Sequence, residues 1–334
     1  MKLGILDQAP LSKGMEPRQA LERALKLAQA GERFGYSRFW MAEHHHLGGL
    51  ACSAPEIMLA YIGAQTKAIR LGAGAILLPY YRPYKVAETF NMLAALFPGR
   101  VDLGVARSPG GAAEASTALS DRYLEQVWKL PEAFEELLHF LFRDFPEDHP
   151  HAALDADPLP PAPPEPWVLG TSEKSALLAA RMGVAYAYGH FMNEENAFRA
   201  LDAYRSQFRP VRQLKEPYAL LAVSAVCADT EAKAREVAAS PYIWRLRSAD
   251  GTAGEGLPST EEARREAEAR NIDLDARVGK TMIVGSPDDV RQRLESLHAA
   301  YRPDELMILS YAYEFEDRLR SYELIAREMR AGAD

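Results

Sequence analysis

Short apolar runs and amphipathic helix patterns alternate along this chain from end to end, and that alternation most restricts its fold. Strand patterns cover Lys2–Asp7, Arg38–Met41, Ile69–Leu78, Val101–Ala106, Trp167–Leu169, Val184–Tyr188, Tyr218–Cys227 and Glu305–Ser310. Helix patterns follow most of them, the first over Arg18–Phe34 with Ala20, Leu21, Ala24, Leu27 and Ala28 on one face. Such units over 334 residues predict an α/β fold, a single (β/α)8 TIM barrel spanning 1–334. A doubly wound sheet is the alternative. It asks for a glycine fingerprint after the first strand, where Asp7-Gln8-Ala9-Pro10 stands.

Two segments break the pattern, after the fourth and seventh strand–helix units. Residues 145–166 hold eight prolines and follow a helix pattern over Leu124–Phe142, in which Pro131 either kinks the helix or starts a second one. Residues 241–279 carry the glycine-rich run Ala249–Gly256 and a charged helix pattern over Thr260–Arg270. Both read as insertions, either lids and interface loops or surface ornaments.

Composition sets the partners aside rather than naming them. The net charge of −8 argues against a nucleic-acid groove or a basic membrane-binding surface. No apolar run approaches the roughly 20 residues that span a bilayer. Met1–Asp7 is too short and too soon acidic for a secretion signal. Two cysteines, Cys52 and Cys227, make no disulfide framework, so a reducing cytoplasm is expected.

The chemistry is expected at the strand ends. Phe39-Trp40-Met41-Ala42 is apolar throughout, as in a strand buried on both faces, and empties into Glu43-His44-His45-His46. A (β/α)8 barrel carries its chemistry at the C-terminal ends of its strands, and imidazole titrates near neutral pH. Leu71–Pro79 holds Gly72 and Gly74 inside a strand, for a flat ligand lying close or for a tight barrel interior. Arg107 ends the fourth strand, to fork onto a phosphate or carboxylate or to pair with Glu43. Glu88 is read as a solvated charge. Gly170-Thr171-Ser172-Glu173-Lys174-Ser175 opens a helix, as an anion site or as an ordinary serine cap. His190 ends the sixth strand, while His139, His149, His151 and His298 look incidental. Three adjacent histidines cannot all point one way, so no metal ligands are assigned.

Together these stretches resemble the bacterial luciferase-like flavin-dependent monooxygenases. The likeness rests on Ala42–His45, Leu71–Pro79, Gly99–Arg107, Val168–Ser172 and Val284–Val290, in the right order over nearly the whole chain. It implies a barrel that binds FMN, less often a deazaflavin, at its C-terminal mouth. Carried over by position, His44 matches an acid/base histidine and Glu43 its buried carboxylate neighbour. Gly74 and Ala75 match the segment under the flavin ring, often with a non-prolyl cis peptide. Arg107 with Thr171, Ser172 and Ser175 matches the phosphate site.

The implied reaction uses reduced FMN and O2, through a flavin C4a-hydroperoxide, to oxygenate a small organic substrate. A separate NAD(P)H-dependent flavin reductase would supply the reduced FMN, and the likeness implies a homodimer. Ala106 stands where light-emitting members carry a reactive cysteine. His46, Pro131 and the 145–166 segment depart from the family pattern. The alternatives are a non-catalytic flavin-binding protein, a deazaflavin-dependent oxidoreductase and, last, a metal-dependent barrel hydrolase using His44–His46.

Overall fold

The computed structural model describes residues 1–331, so the last three residues of the range read as one barrel lie outside it. Nine strands occur among the described residues: β1 (Lys2–Asp7), β2 (Arg38–Met41), β3 (Arg70–Leu77), β4 (Val101–Ala106), β5 (Glu165–Gly170), β6 (Ala185–Gly189), β7 (Ala219–Cys227), β8 (Ile283–Gly285) and β9 (Glu305–Leu309). All but β8 close a parallel eight-stranded barrel, in the order β1 to β7, then β9, which returns to β1 through Ile5 opposite Ile308. The fold expected from the alternation is the fold observed. β8 is a short addition alongside the far end of β7, pairing Val226 with Val284.

Around the barrel run α1 (Pro17–Arg33), α2 (Pro55–Gly63), α3 (Pro83–Leu96), α4 (Ala113–Leu119), α5 (Tyr123–Trp128), α6 (Leu130–Phe142), α7 (Glu173–Met182) and α8 (Ala197–Gln207). They continue with α9 (Glu231–Ala249), α10 (Thr260–Ala269), α11 (Leu274–Thr281), α12 (Pro287–Tyr301) and α13 (Phe315–Ala331). Proline stands in the first turn of α1, α2, α3, α6 and α12, where its missing N–H costs no helix bond. Pro131 therefore starts α6 rather than kinking a longer helix. No described helix is long and apolar enough to cross a membrane.

One apolar layer lies between strands and helices, and a second fills the barrel with Leu6, Trp40, Trp167, Leu220 and Met307. The N-terminal end is closed by charge. Buried Arg38 donates to Asp102 at 2.7 Å and to Glu305 at 2.9 Å, and the Trp40 indole N–H also donates to Asp102 at 2.9 Å. Arg70 reaches Asp102 and Glu165 from the rim. These residues open β2, β3, β4, β5 and β9, so one network pins the start of five strands.

The second irregular segment differs from its expectation at its boundary. Helix α9 runs through Pro241 to Ala249. Proline inside a helix costs about 3 kcal/mol, but Val237–Trp244 are all buried, with Val237, Ala238, Ala239, Tyr242 and Ile243 in one apolar cluster with α10 and α11, and that burial holds the helix together. Beyond it, α11, α12 and β8 had no expected counterpart. Residues 250–258 lie over the loops after β1 and β2, with Leu257 bonded to Leu11 and Lys13. The proline-rich stretch straps α3 instead, where the Asn91 amide donates to the Ala156 carbonyl. Neither segment lines the cavity described next.

Candidate active site

A cavity of about 770 Å³ opens at the C-terminal mouth of the barrel. All eight residues singled out from sequence line it: Glu43, His44, Gly74, Ala75, Arg107, Thr171, Ser172 and Ser175. They come from the ends of β2, β3, β4 and β5, adjacent strands whose C-termini meet on one side of the mouth.

The three consecutive histidines diverge. His46 sits at φ +48° and is exposed. His45 turns to Glu43, with Nε2 2.7 Å from Oε1. His44 alone lines the cavity, and its Nδ1 is buried without a partner in the described chain. Burial, reinforced by the neighbouring His45, lowers the His44 pKa to about 4, so the ring is neutral near pH 7. The triplet is thus no convergent ligand set, and no group of three His, Cys, Asp or Glu side chains is placed to hold a metal among the described residues.

Glu43 is buried and fully engaged. It accepts from the Tyr81 hydroxyl at 2.7 Å and from the Leu77 amide at 2.9 Å, besides His45. Its carboxylate therefore ties the end of β2 to the end of β3. The expected alternative pairing of Glu43 with Arg107 does not occur, because these three donors surround the carboxylate and Arg107 is exposed at the rim. Tyr81 had no signal in the sequence. The His44 loop is laced to the loop after β4 as well: the His45 amide donates to the Gly110 carbonyl. A Cβ on Gly111 would stand 1.6 Å from the His45 carbonyl oxygen, so glycine is required for that approach.

The small residues of β3 divide between the two readings. A Cβ at Gly72 would meet the Trp40 indole at 2.2 Å, a barrel-interior constraint. Gly74 and Ala75, joined by a cis peptide, line the cavity. Ser172 is the N-cap of α7 and accepts from the Ser175 amide at 3.3 Å, so the cap reading holds. The cap leaves the other first-turn amides of α7 without intrahelical partners, and Lys174 among them lines the cavity, the position that favours an anion. Lys174 was not singled out, although it lies within the motif. His190 is not brought in: its ring packs on Tyr301 outside the cavity lining. Glu88 pairs with Lys85 on the surface.

These features give a barrel mouth with apolar walls, and donors suited to an anion stand at one side of it. Leu6, Trp40, Val168, Leu220 and Met307 wall the deep part, and Arg107 and the start of α7 stand at one side. The comparisons agree. The luciferase-like monooxygenase family model matches residues 1–302, and the chain belongs to that family of oxidoreductases. It is 44% identical to the protein YceB of Bacillus subtilis (strain 168), over 97% of this chain and 98% of that one. It is 35% identical to N-acetyl-S-alkylcysteine monooxygenase from the same organism, over 98% and 97%. The structure of apo-MsnO8 superposes with a TM-score of 0.89 at 36% identity, covering 98% of each chain. Two more distant structures share the fold. The oxygenating constituent of 3,6-diketocamphane monooxygenase from Pseudomonas putida, in complex with FMN, has a TM-score of 0.75 at 22% identity, covering 98% and 97%. An F420-dependent secondary alcohol dehydrogenase has 0.71 at 15%, covering 98% and 99%.

Proposed function

We propose that this chain is a two-component monooxygenase that takes reduced FMN from a separate NAD(P)H-dependent reductase and uses O2 to oxygenate a small organic substrate. The observation that carries this reading is a buried, unpartnered His44 Nδ1 in the same cavity as the anion-favouring start of α7. The donor set fits FMN. Arg107, Thr171, Ser172, Lys174 and Ser175 would hold its phosphate, and Gly74-Ala75 would take its ring. Bound in its reduced state, the flavin supplies the electrons that activate oxygen. The apolar walls exclude water from the reacting centre. His44, neutral near pH 7, takes or returns a proton at Nδ1. Glu43, fixed by Tyr81, His45 and Leu77, positions the loop that carries His44.

The test mixes protein anaerobically with reduced FMN and then with oxygen in a stopped-flow instrument. Slow, multiphasic reoxidation, returning to the free-flavin rate in His44→Ala, supports the reading. Reoxidation at the rate of free reduced FMN in the wild type overturns the monooxygenase and leaves a flavin-binding protein. A parallel titration with FMN and a deazaflavin decides the cofactor, with FMN binding tighter.

The homodimer belongs to the same proposal. Ile57 and Tyr61 on α2, and Met92 and Leu96 on α3, are each one helical turn apart and exposed, and α2 packs beside α3. Together they make an apolar patch of the kind that marks an interface.

A further inference from the structure

Seven of the eight neighbouring pairs in the helix ring pack together: α1 with α2, α2 with α3, α3 with α6, α7 with α8, α8 with α12, α12 with α13, and α13 with α1. No comparable packing joins α6 to α7. The cavity opens into that break. Leu130 and Pro131 line it from α6, and Lys174, Leu177, Leu178 and Arg181 from α7. The α7 positions fall three and four apart, on one stripe of the helix.

Two features of this cleft are unused by the flavin site. Trp128, at the end of α5, lines the cavity yet is 78% exposed. The other three tryptophans are buried, and each packs on another ring. Arg181 stands seven residues along α7 from Lys174, about 10 Å at the helical rise, and pairs with no carboxylate among the described residues. A free indole face asks for a planar partner, and a free guanidinium for an anion.

We propose that the cleft between α6 and α7 is a nucleoside-phosphate subsite, with the base on Trp128 and a phosphate on Arg181. It rests on the flavin reading only for what lies beside it. The nucleoside phosphate has two sources. It is either the adenylate half of FAD, continuous with the flavin through its phosphates, or a separate adenine nucleotide bound next to FMN.

Calorimetric titrations with FMN, FAD and ADP separate these outcomes in the wild type, Trp128→Leu and Arg181→Gln. Trp128 quenching provides a second readout. FAD binding about tenfold more tightly than FMN, with that advantage removed by each variant and the FMN affinity unchanged, assigns the cleft to the adenylate half of FAD. Equal FMN and FAD affinities, with ADP binding the FMN-loaded wild type and neither variant, assign the cleft to a separate nucleotide. Equal flavin affinities without ADP binding overturn the subsite and leave the flavin reading intact. ADP binding lost in both variants, with no flavin bound, keeps the subsite and sinks the flavin reading. If nothing binds, both fall.

Discussion

His44 is the residue in which sequence and environment bear most directly on chemistry. An unfolded histidine takes a proton near pH 6.5, whereas the folded ring, held back by burial and by His45, does so only near pH 4. Between those values the unfolded state binds more protons, so stability falls as the pH drops from about 6.5 toward 4. The shift corresponds to roughly 3 kcal/mol at the lower end and to nothing above the unfolded pKa. His190, also lowered by burial, acts in the same direction, while Glu56, raised by burial, opposes them. The wild type must therefore be compared with a variant lacking only the His44 term. In urea unfolding at pH 7.5 and pH 5, His44→Asn should lose markedly less stability on acidification than the wild type. Equal losses would place the buried proton site elsewhere. Ser172 offers a binding test at the same scale. Aspartate also caps helices, so Ser172→Asp should keep α7 while repelling a phosphate, raising the FMN dissociation constant at least about tenfold. An unaltered constant removes the anion site. His44, Arg107 and the serine cap were legible because each follows an apolar run. Tyr81 was not, because nothing local announces that its hydroxyl will meet a carboxylate 38 positions earlier.

At the scale of elements, apolar runs bounded by turn residues gave all eight barrel strands. β8 escaped because three residues carry no period of their own; it exists through pairing with β7. The boundary drawn at Pro241 failed for the opposite reason, since long-range burial of Val237–Trp244 outweighs a local rule. The charged floor was invisible too, because Arg38, Arg70, Asp102, Glu165 and Glu305 are far apart in the chain and meet only when the barrel closes. Asp102 holds that network together, accepting from Arg38, Arg70 and the Trp40 indole while fully buried. Removing it leaves the buried Arg38 with Glu305 alone and the Trp40 N–H without a partner, and breaking a buried ion pair in this way costs about 3–5 kcal/mol. Asp102→Ala should therefore lower the urea midpoint by that equivalent, read from equilibrium unfolding. The floor lies at the opposite end from the cavity, so FMN affinity at low temperature should hardly change. A loss below about 1 kcal/mol would mean that the floor tolerates its charges through water rather than through pairing.

For the whole molecule, the question is what covers the exposed faces of α2 and α3. Ile57 is 67% exposed and Leu96 61%, and with Tyr61 and Met92 they put four exposed large apolar side chains on two neighbouring helices. Both helices leave the site directly. Helix α2 begins after the loop carrying His44, and α3 begins two residues after Tyr81, which holds Glu43. A partner packed on this face would therefore brace both segments that set the proton-handling end of the cavity. Light scattering on a sizing column should give twice the chain mass of 37.1 kDa for the wild type. Ile57→Glu combined with Leu96→Glu should give the mass of one chain, because it buries two unpaired charges in any interface formed there. The variant should also melt at a lower temperature, since dissociation withdraws the stabilisation that association contributes. A wild type of single-chain mass at micromolar concentration would leave the patch without this role. A dimer that survives both substitutions would move the interface to another face, and the support for the His44 loop would then lie within the chain, in the bonds from Gly110 and Cys52 to its backbone.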